Sequence, residues 1–66
     1  MATLEAVAAF EALLWRLAWS RGITTAAVAR VLLDAGVRNV DAWGRLTLAE
    51  RRAVNVALWG VAQRRG

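Results

Sequence analysis

Cysteine, histidine, lysine, tyrosine and proline are all missing from this sequence, and each absence closes off a class of chemistry. Without cysteine there is no disulfide, and the fold is indifferent to its redox compartment, which makes a cytoplasmic home the default expectation. The loss of both thiolate and imidazole removes the ligands that a structural zinc site requires. Proton shuttling by histidine, attack by a soft thiolate and Schiff-base formation by lysine are excluded together. Ser20 has no base to activate it, and Thr3, Thr24, Thr25 and Thr47 all fall where helices should start. The expectation is a chain that is not an enzyme and takes no cofactor and no metal.

Glycine is sparse and scattered. Gly22, Gly36, Gly44, Gly60 and Gly66 are separated by whole helical stretches, whereas a phosphate-binding loop bunches its glycines so that successive amides converge on one anion. Long apolar runs are also lacking. The longest stretch free of formal charge is Ala53 to Gln63, well short of the roughly 20 residues that cross a bilayer. The N-terminus has no basic segment, and Glu5, Glu11 and Arg16 interrupt any apolar one, so no signal peptide is expected. Membrane association is not expected either, since the first helix has no strong basic face.

What is present is alanine, branched aliphatics and arginine. Sixty-six residues make a single domain, and a chain of this size buries only roughly 60% of the area its unfolded form exposes. Hydrophobic residues nevertheless make up 59%, above the usual roughly 45–50%. Alanine is the best intrinsic helix former and lets helix axes approach closely. The composition predicts an all-α fold: a compact orthogonal bundle of three long helices plus one short helix, spanning residues 1–66, with helices at about 4–21, 25–35, 40–45 and 48–64.

The boundaries come from capping grammar. Thr3 caps the first helix, with Glu5 at the positive end of its dipole. At about 100° per residue, Ala6, Val7, Phe10, Leu13, Leu14 and Leu17 share one face. Arg21 and Gly22 end the helix, and Ile23 closes over it. The second helix starts after Thr24 or Thr25, turns Val28, Val31, Leu32 and Ala35 inward, and ends at Gly36 and Val37 in the same way. That echo is capping chemistry and not a repeat. Asn39 or Asp41 caps a short helix in which Val40, Trp43 and Leu46 recur every third residue. Thr47 and Glu50 are spaced as a capping box for the last helix, whose stripe is Val54, Ala57, Leu58 and Val61. Gly60 is read there as permitting close approach of a neighbour, and Arg64 and Arg65 sit at the negative end of the dipole before Gly66 ends the chain.

Two features point toward function. The first is charge. All nine basic residues are arginines, and the second half of the chain carries most of the net positive charge. A patch of Arg38, Arg45, Arg51 and Arg52, with Arg64 and Arg65 beyond, would suit phosphate because guanidinium donors match its oxygens bidentately. The same arginines equally serve as a solvated surface. Thr24 to Gly36 followed by Val37 to Leu46 resembles a helix-turn-helix, with Arg38 and Arg45 on the second helix. It departs from that family because Gly36 lies seven residues after Ala29, and Gly44 and Asp41 sit in the segment that would read the groove. The run from Gly22-Ile-Thr-Thr through Leu46-Thr-Leu-Ala-Glu-Arg-Arg also resembles sterile-alpha-motif and helix-hairpin-helix modules. It lacks the Gly-x-Gly hairpin that clamps DNA backbone in many of the latter, so no DNA function is implied.

The second feature is tryptophan, four in a short chain. Trp43 reads as core. Trp15, Trp19 and Trp59 lie off the apolar stripes and either cover the shoulders of an undersized core or form a patch that docks on another protein. Val56 projects with Arg52 and Gln63 on the flank opposite the main stripe, leaving the last helix apolar on two sides. An arginine beside a tryptophan, as in Arg16 with Trp15 or Arg52 with Trp59, is the mixture found at binding hot spots. The leading expectation is a protein–protein interaction module that binds itself as a homo-oligomer, or a larger protein as adaptor or inhibitor, through Trp15, Trp19, Arg52, Val56 and Trp59. The rival is a small basic nucleic-acid-binding protein using Arg38, Arg45, Arg51 and Arg52 on backbone phosphates.

Overall fold

A computed structural model describes residues 3–65. Gly66 and the side chain of Arg65, both invoked above, lie outside the described residues. The fold is all-α: α1 (Leu4–Trp19), α2 (Thr25–Asp34), the short α3 (Val40–Gly44) and α4 (Leu48–Arg65).

Every helix start is made by a side chain that accepts an otherwise orphaned amide. Thr3 Oγ1 accepts from the Ala6 amide at 3.0 Å, Thr24 Oγ1 from Ala27 at 3.1 Å and Asn39 Oδ1 from Ala42 at 2.8 Å. The capping box of α4 is reciprocal: the Thr47 amide donates to Glu50 Oε1 at 2.8 Å, and the Glu50 amide donates to Thr47 Oγ1 at 3.1 Å. The bond from the Thr47 amide, with a further one from the Thr47 side chain, holds the Glu50 carboxyl below its usual range.

Helix ends follow the glycine rule. Gly22 and Gly36 adopt φ of 66° and 80°, a left-handed conformation that costs other residues a Cβ clash. The amides of Ile23 and Val37 then reach back to the carbonyls of Ala18 and Leu32, at 3.1 Å and 2.8 Å. Both aliphatic side chains are buried at the ends they close. α1 stops two residues before Arg21, because Ser20 and Arg21 already belong to this turn.

Helix α2 is the centre of the arrangement. It packs against α1 and against α4, while α3 packs against α1. The core is Leu13, Leu17, Ala18, Ile23, Val28, Leu32, Val37, Val54 and Leu58, with Phe10, Leu14, Val31, Trp43 and Val61 among the side chains packed partly against it. Not every position of the apolar stripes reaches it. Ala6, Val7, Ala35 and Ala57 are exposed, the last two because they line an open groove between α2 and α4. Gly60 needs no close neighbour: a Cβ built there meets nothing within 4 Å. The Cα envelope measures 37 × 23 × 16 Å. A slab 16 Å thick holds about two layers of helix at an interaxial spacing of roughly 8–10 Å, so every long helix keeps one face outside. No helix among the described residues is long and apolar enough to cross a membrane.

Candidate functional site

The thin architecture leaves much apolar surface uncovered. The chain exposes 4920 Å², whereas a folded monomer of 7.2 kDa is expected to expose about 4,100 Å². The excess, about 800 Å², is polar and apolar area together and accords with the flat shape of the molecule. Nine large apolar side chains are exposed among the described residues, as many as there are residues in the buried core, so this surface cannot be dismissed as stray apolar atoms.

Trp15 is 61% exposed, Trp19 82%, Val56 73% and Trp59 48%, and Arg52 is exposed beside them on α4. These five residues divide into two faces. On α1, Trp15 and Trp19 follow Leu4 and Ala8 along the side turned away from Leu13 and Leu17. On α4, Val56 and Trp59 follow Leu48 and Arg52 along the side turned away from Val54 and Leu58. Trp43, half-buried, packs against the core instead.

The arginine–tryptophan pairs differ from those suggested by sequence proximity. Arg21 stacks over the Trp59 ring at 5.2 Å and Arg51 over the Trp43 ring at 4.7 Å. Arg21 also donates to Asn55 Oδ1 at 3.0 Å and to the Leu17 carbonyl at 3.1 Å, tying the end of α1 to the middle of α4. A third bond runs to Ser20 Oγ at 2.8 Å; the Arg21 Nε is buried without a partner among the described residues, a cost set against the stacking and the three donated bonds. Arg51 donates to the Trp43 carbonyl at 2.8 Å, which also accepts from the Leu46 amide at 3.3 Å. Arg51 is thus engaged within the fold, while Arg38, Arg45 and Arg52 remain exposed.

Arg21 and Asn55 were not among the residues expected at the site. Nothing in the local sequence links them, since they lie 34 residues apart. A separate regularity, which does not bear on that pair, relates α1 to α4. Residues 3–22 and 47–66 align without a gap, TLEAVAAFEALLWRLAWSRG against TLAERRAVNVALWGVAQRRG, and eight of the twenty positions are identical. The correspondence extends to the fold. Thr3 and Thr47 are both caps. Phe10, Leu14 and Leu17 of α1 face the core at the positions of Val54, Leu58 and Val61 of α4, and Leu4 and Trp15 are exposed like Leu48 and Trp59.

Between α2 and α4 lies an open groove of about 390 Å³, lined by Val31, Ala35, Leu46, Ala53 and Ala57 with Asp34 and Glu50 on its margin. It is where Ala35 and Ala57 emerge from the expected core. Among the described residues no cluster of acidic side chains is arranged to hold a metal ion. Comparison with known proteins finds no match to this chain among family models, curated proteins or solved structures.

Proposed function

We propose that this chain is a non-enzymatic protein–protein interaction module that acts by stoichiometric binding, associating with itself or serving as adaptor or inhibitor of a larger protein. The observation that carries the reading is the exposure of Trp15, Trp19, Val56 and Trp59. Tryptophan anchors interfaces because it brings large apolar area at low conformational cost while its indole N–H remains able to donate. In this reading the tryptophans are the anchors and Arg52 orients the partner through its guanidinium. The setting is cytoplasmic, in keeping with a chain that needs no disulfide.

A second reading, phosphate-backbone binding, draws on the exposure of Arg38 and Arg45 at the two ends of α3, with Arg52 on α4. The two readings differ in their dependence on salt. Counterion release makes binding to nucleic acid fall steeply with ionic strength, whereas an apolar interface changes little. Sedimentation equilibrium at two salt concentrations, with and without a short mixed-sequence DNA duplex, separates them. The interaction module predicts a complex that persists at the higher salt and weakens on Trp15→Ala or Trp59→Ala. A monomer that loads onto the duplex at low salt alone would replace this reading with the second.

A further inference from the structure

The two outward faces are related to each other, and their relation specifies what covers them. Along α1 the exposed seam runs Leu4, Ala8, Glu11, Trp15. Along α4 the equivalent positions, 44 residues later, are Leu48, Arg52, Asn55 and Trp59; Leu48, Arg52 and Trp59 are exposed, while Asn55 is half-buried and accepts from Arg21, whose guanidinium also lies over one face of Trp59. Both seams step by four, three and four residues, the spacing of alternating core positions in a coiled coil. Such a pattern reads the same in either direction along the helix. An α1 seam laid antiparallel on an α4 seam therefore matches at every layer: Leu4 meets Trp59, Ala8 meets Asn55, Glu11 meets Arg52 and Trp15 meets Leu48.

The antiparallel register is the one the chemistry favours. Each tryptophan lies over a leucine, small Ala8 faces Asn55, and the carboxylate of Glu11 meets the guanidinium of Arg52. Laid parallel, the same seams would stack Trp15 on Trp59 and face Glu11 with Asn55, leaving the charges unmatched. The flanking charges agree: α1 carries Glu5, Glu11 and Arg16, a net of −1, and α4 carries Glu50, Arg51, Arg52, Arg64 and Arg65, a net of +3. Opposed helix dipoles add to the same preference.

Within one chain the two seams do not face each other, because the tryptophans and leucines of both are turned outward, away from the core that α1 and α4 share. We infer that the partner of the α1 seam is the α4 seam of a second copy of this chain, packed antiparallel with Glu11 of one copy against Arg52 of the other. This rests on the reading of the chain as an interaction module and identifies the partner and the register.

Charge exchange tests it. Sedimentation of wild type should give a dimer or larger assembly. Glu11→Arg and Arg52→Glu, each alone, should raise the dissociation constant by about tenfold or more, since each sets like charges against one another at the contact. Combining both substitutions in one chain should restore assembly. So should an equimolar mixture of the two single variants, in which one contact joins the two substituted positions with their charges exchanged and the other joins the native Glu11 and Arg52. Recovery in the double variant and the mixture also shows that neither substitution acts by unfolding the chain. Single variants that assemble like wild type, a double variant that fails to recover, or a wild type that stays monomeric would each overturn the inference. If assembly survives both charge reversals but is lost on Trp59→Ala, this register fails while the tryptophan interface stands.

Discussion

Helices α1 and α4 start from the same Thr-Leu pair, turn the same Leu and Trp outward and pack on the same side of their surface against α2, yet they are held differently. α1 also packs on α3, and its cap is a single Thr3 bond because position 6 is alanine. α4 has the full capping box and is tied to the rest of the molecule by two arginines, Arg21 reaching it from the end of α1 and Arg51 reaching out from it to α3. Two helices with one pattern can thus take different supports. What they share is the pair of faces, one for the core and one left outside, and what differs is the side-chain chemistry that fixes each within the fold.

The sharpest way to break this comparison is at the equivalent leucines. Leu58 is fully buried whereas Leu14 is only partly so. Leu58→Ala should cost about 2–5 kcal/mol through lost burial and the cavity left behind, and Leu14→Ala clearly less. Urea unfolding of the two variants measures both, and equal losses would mean that the two helices share the core evenly.

Next in size is Arg51→Ala, expected to cost about 1–2 kcal/mol by removing a charge-assisted bond and a ring contact. Arg51→Lys should recover only part of it, because an ammonium lacks the planar fork that stacks on Trp43 while donating to its carbonyl. Full recovery by lysine in thermal melts would reduce the clamp to simple charge.

The caps give a smaller and pH-dependent contrast. Thr3→Ala should cost about 1 kcal/mol, and Thr47→Ala more, since it also unsettles the Glu50 bond. Because the folded-state pKa of Glu50 is depressed, its contribution is fully present above the unfolded carboxylate value and is lost as pH falls through the folded one. Melting of wild type against Glu50→Ala should therefore differ near neutral pH and converge in acid. A difference that persists in acid would assign the effect to packing.

The smallest change is a gain. Gly60 is helical with open space where a Cβ would stand, so Gly60→Ala should stabilise α4 by about 0.5–1 kcal/mol. The same substitution at Gly22, with its φ of 66°, should destabilise. A loss at Gly60 in denaturant titration would reveal a role for flexibility in that helix.

The helix ends were legible without the tertiary structure. Caps and glycine stops act between residues three to five apart, so Thr47 with Glu50, Gly22 with Ile23 and Gly36 with Val37 could be read in order along the chain, while the choice of Thr24 over Thr25 and of Asn39 over Asp41 came from the structure. The inward faces were legible only as directions. Val28, Leu32, Val54 and Leu58 are buried as their spacing requires, but Val7, Ala35 and Ala57 lie on the same faces and remain outside. Periodicity states which side of a helix is apolar and not how far along its length a neighbour extends.

The exposed tryptophans show the same division. Sequence placed Trp15, Trp19 and Trp59 off the stripes and left open whether they covered a small core or stood free. Their exposure follows from how few helices there are to cover them in a slab two layers thick. The sequence by itself determined that this chain is helical, where each helix starts and stops, and that α1 and α4 repeat one pattern, because those features depend on contacts within a turn or on spacing along one chain. Which arginine meets which tryptophan, which alanines line a groove and which seams remain unpartnered were decided only by the tertiary structure, because they depend on the relative placement of helices whose residues are tens of positions apart.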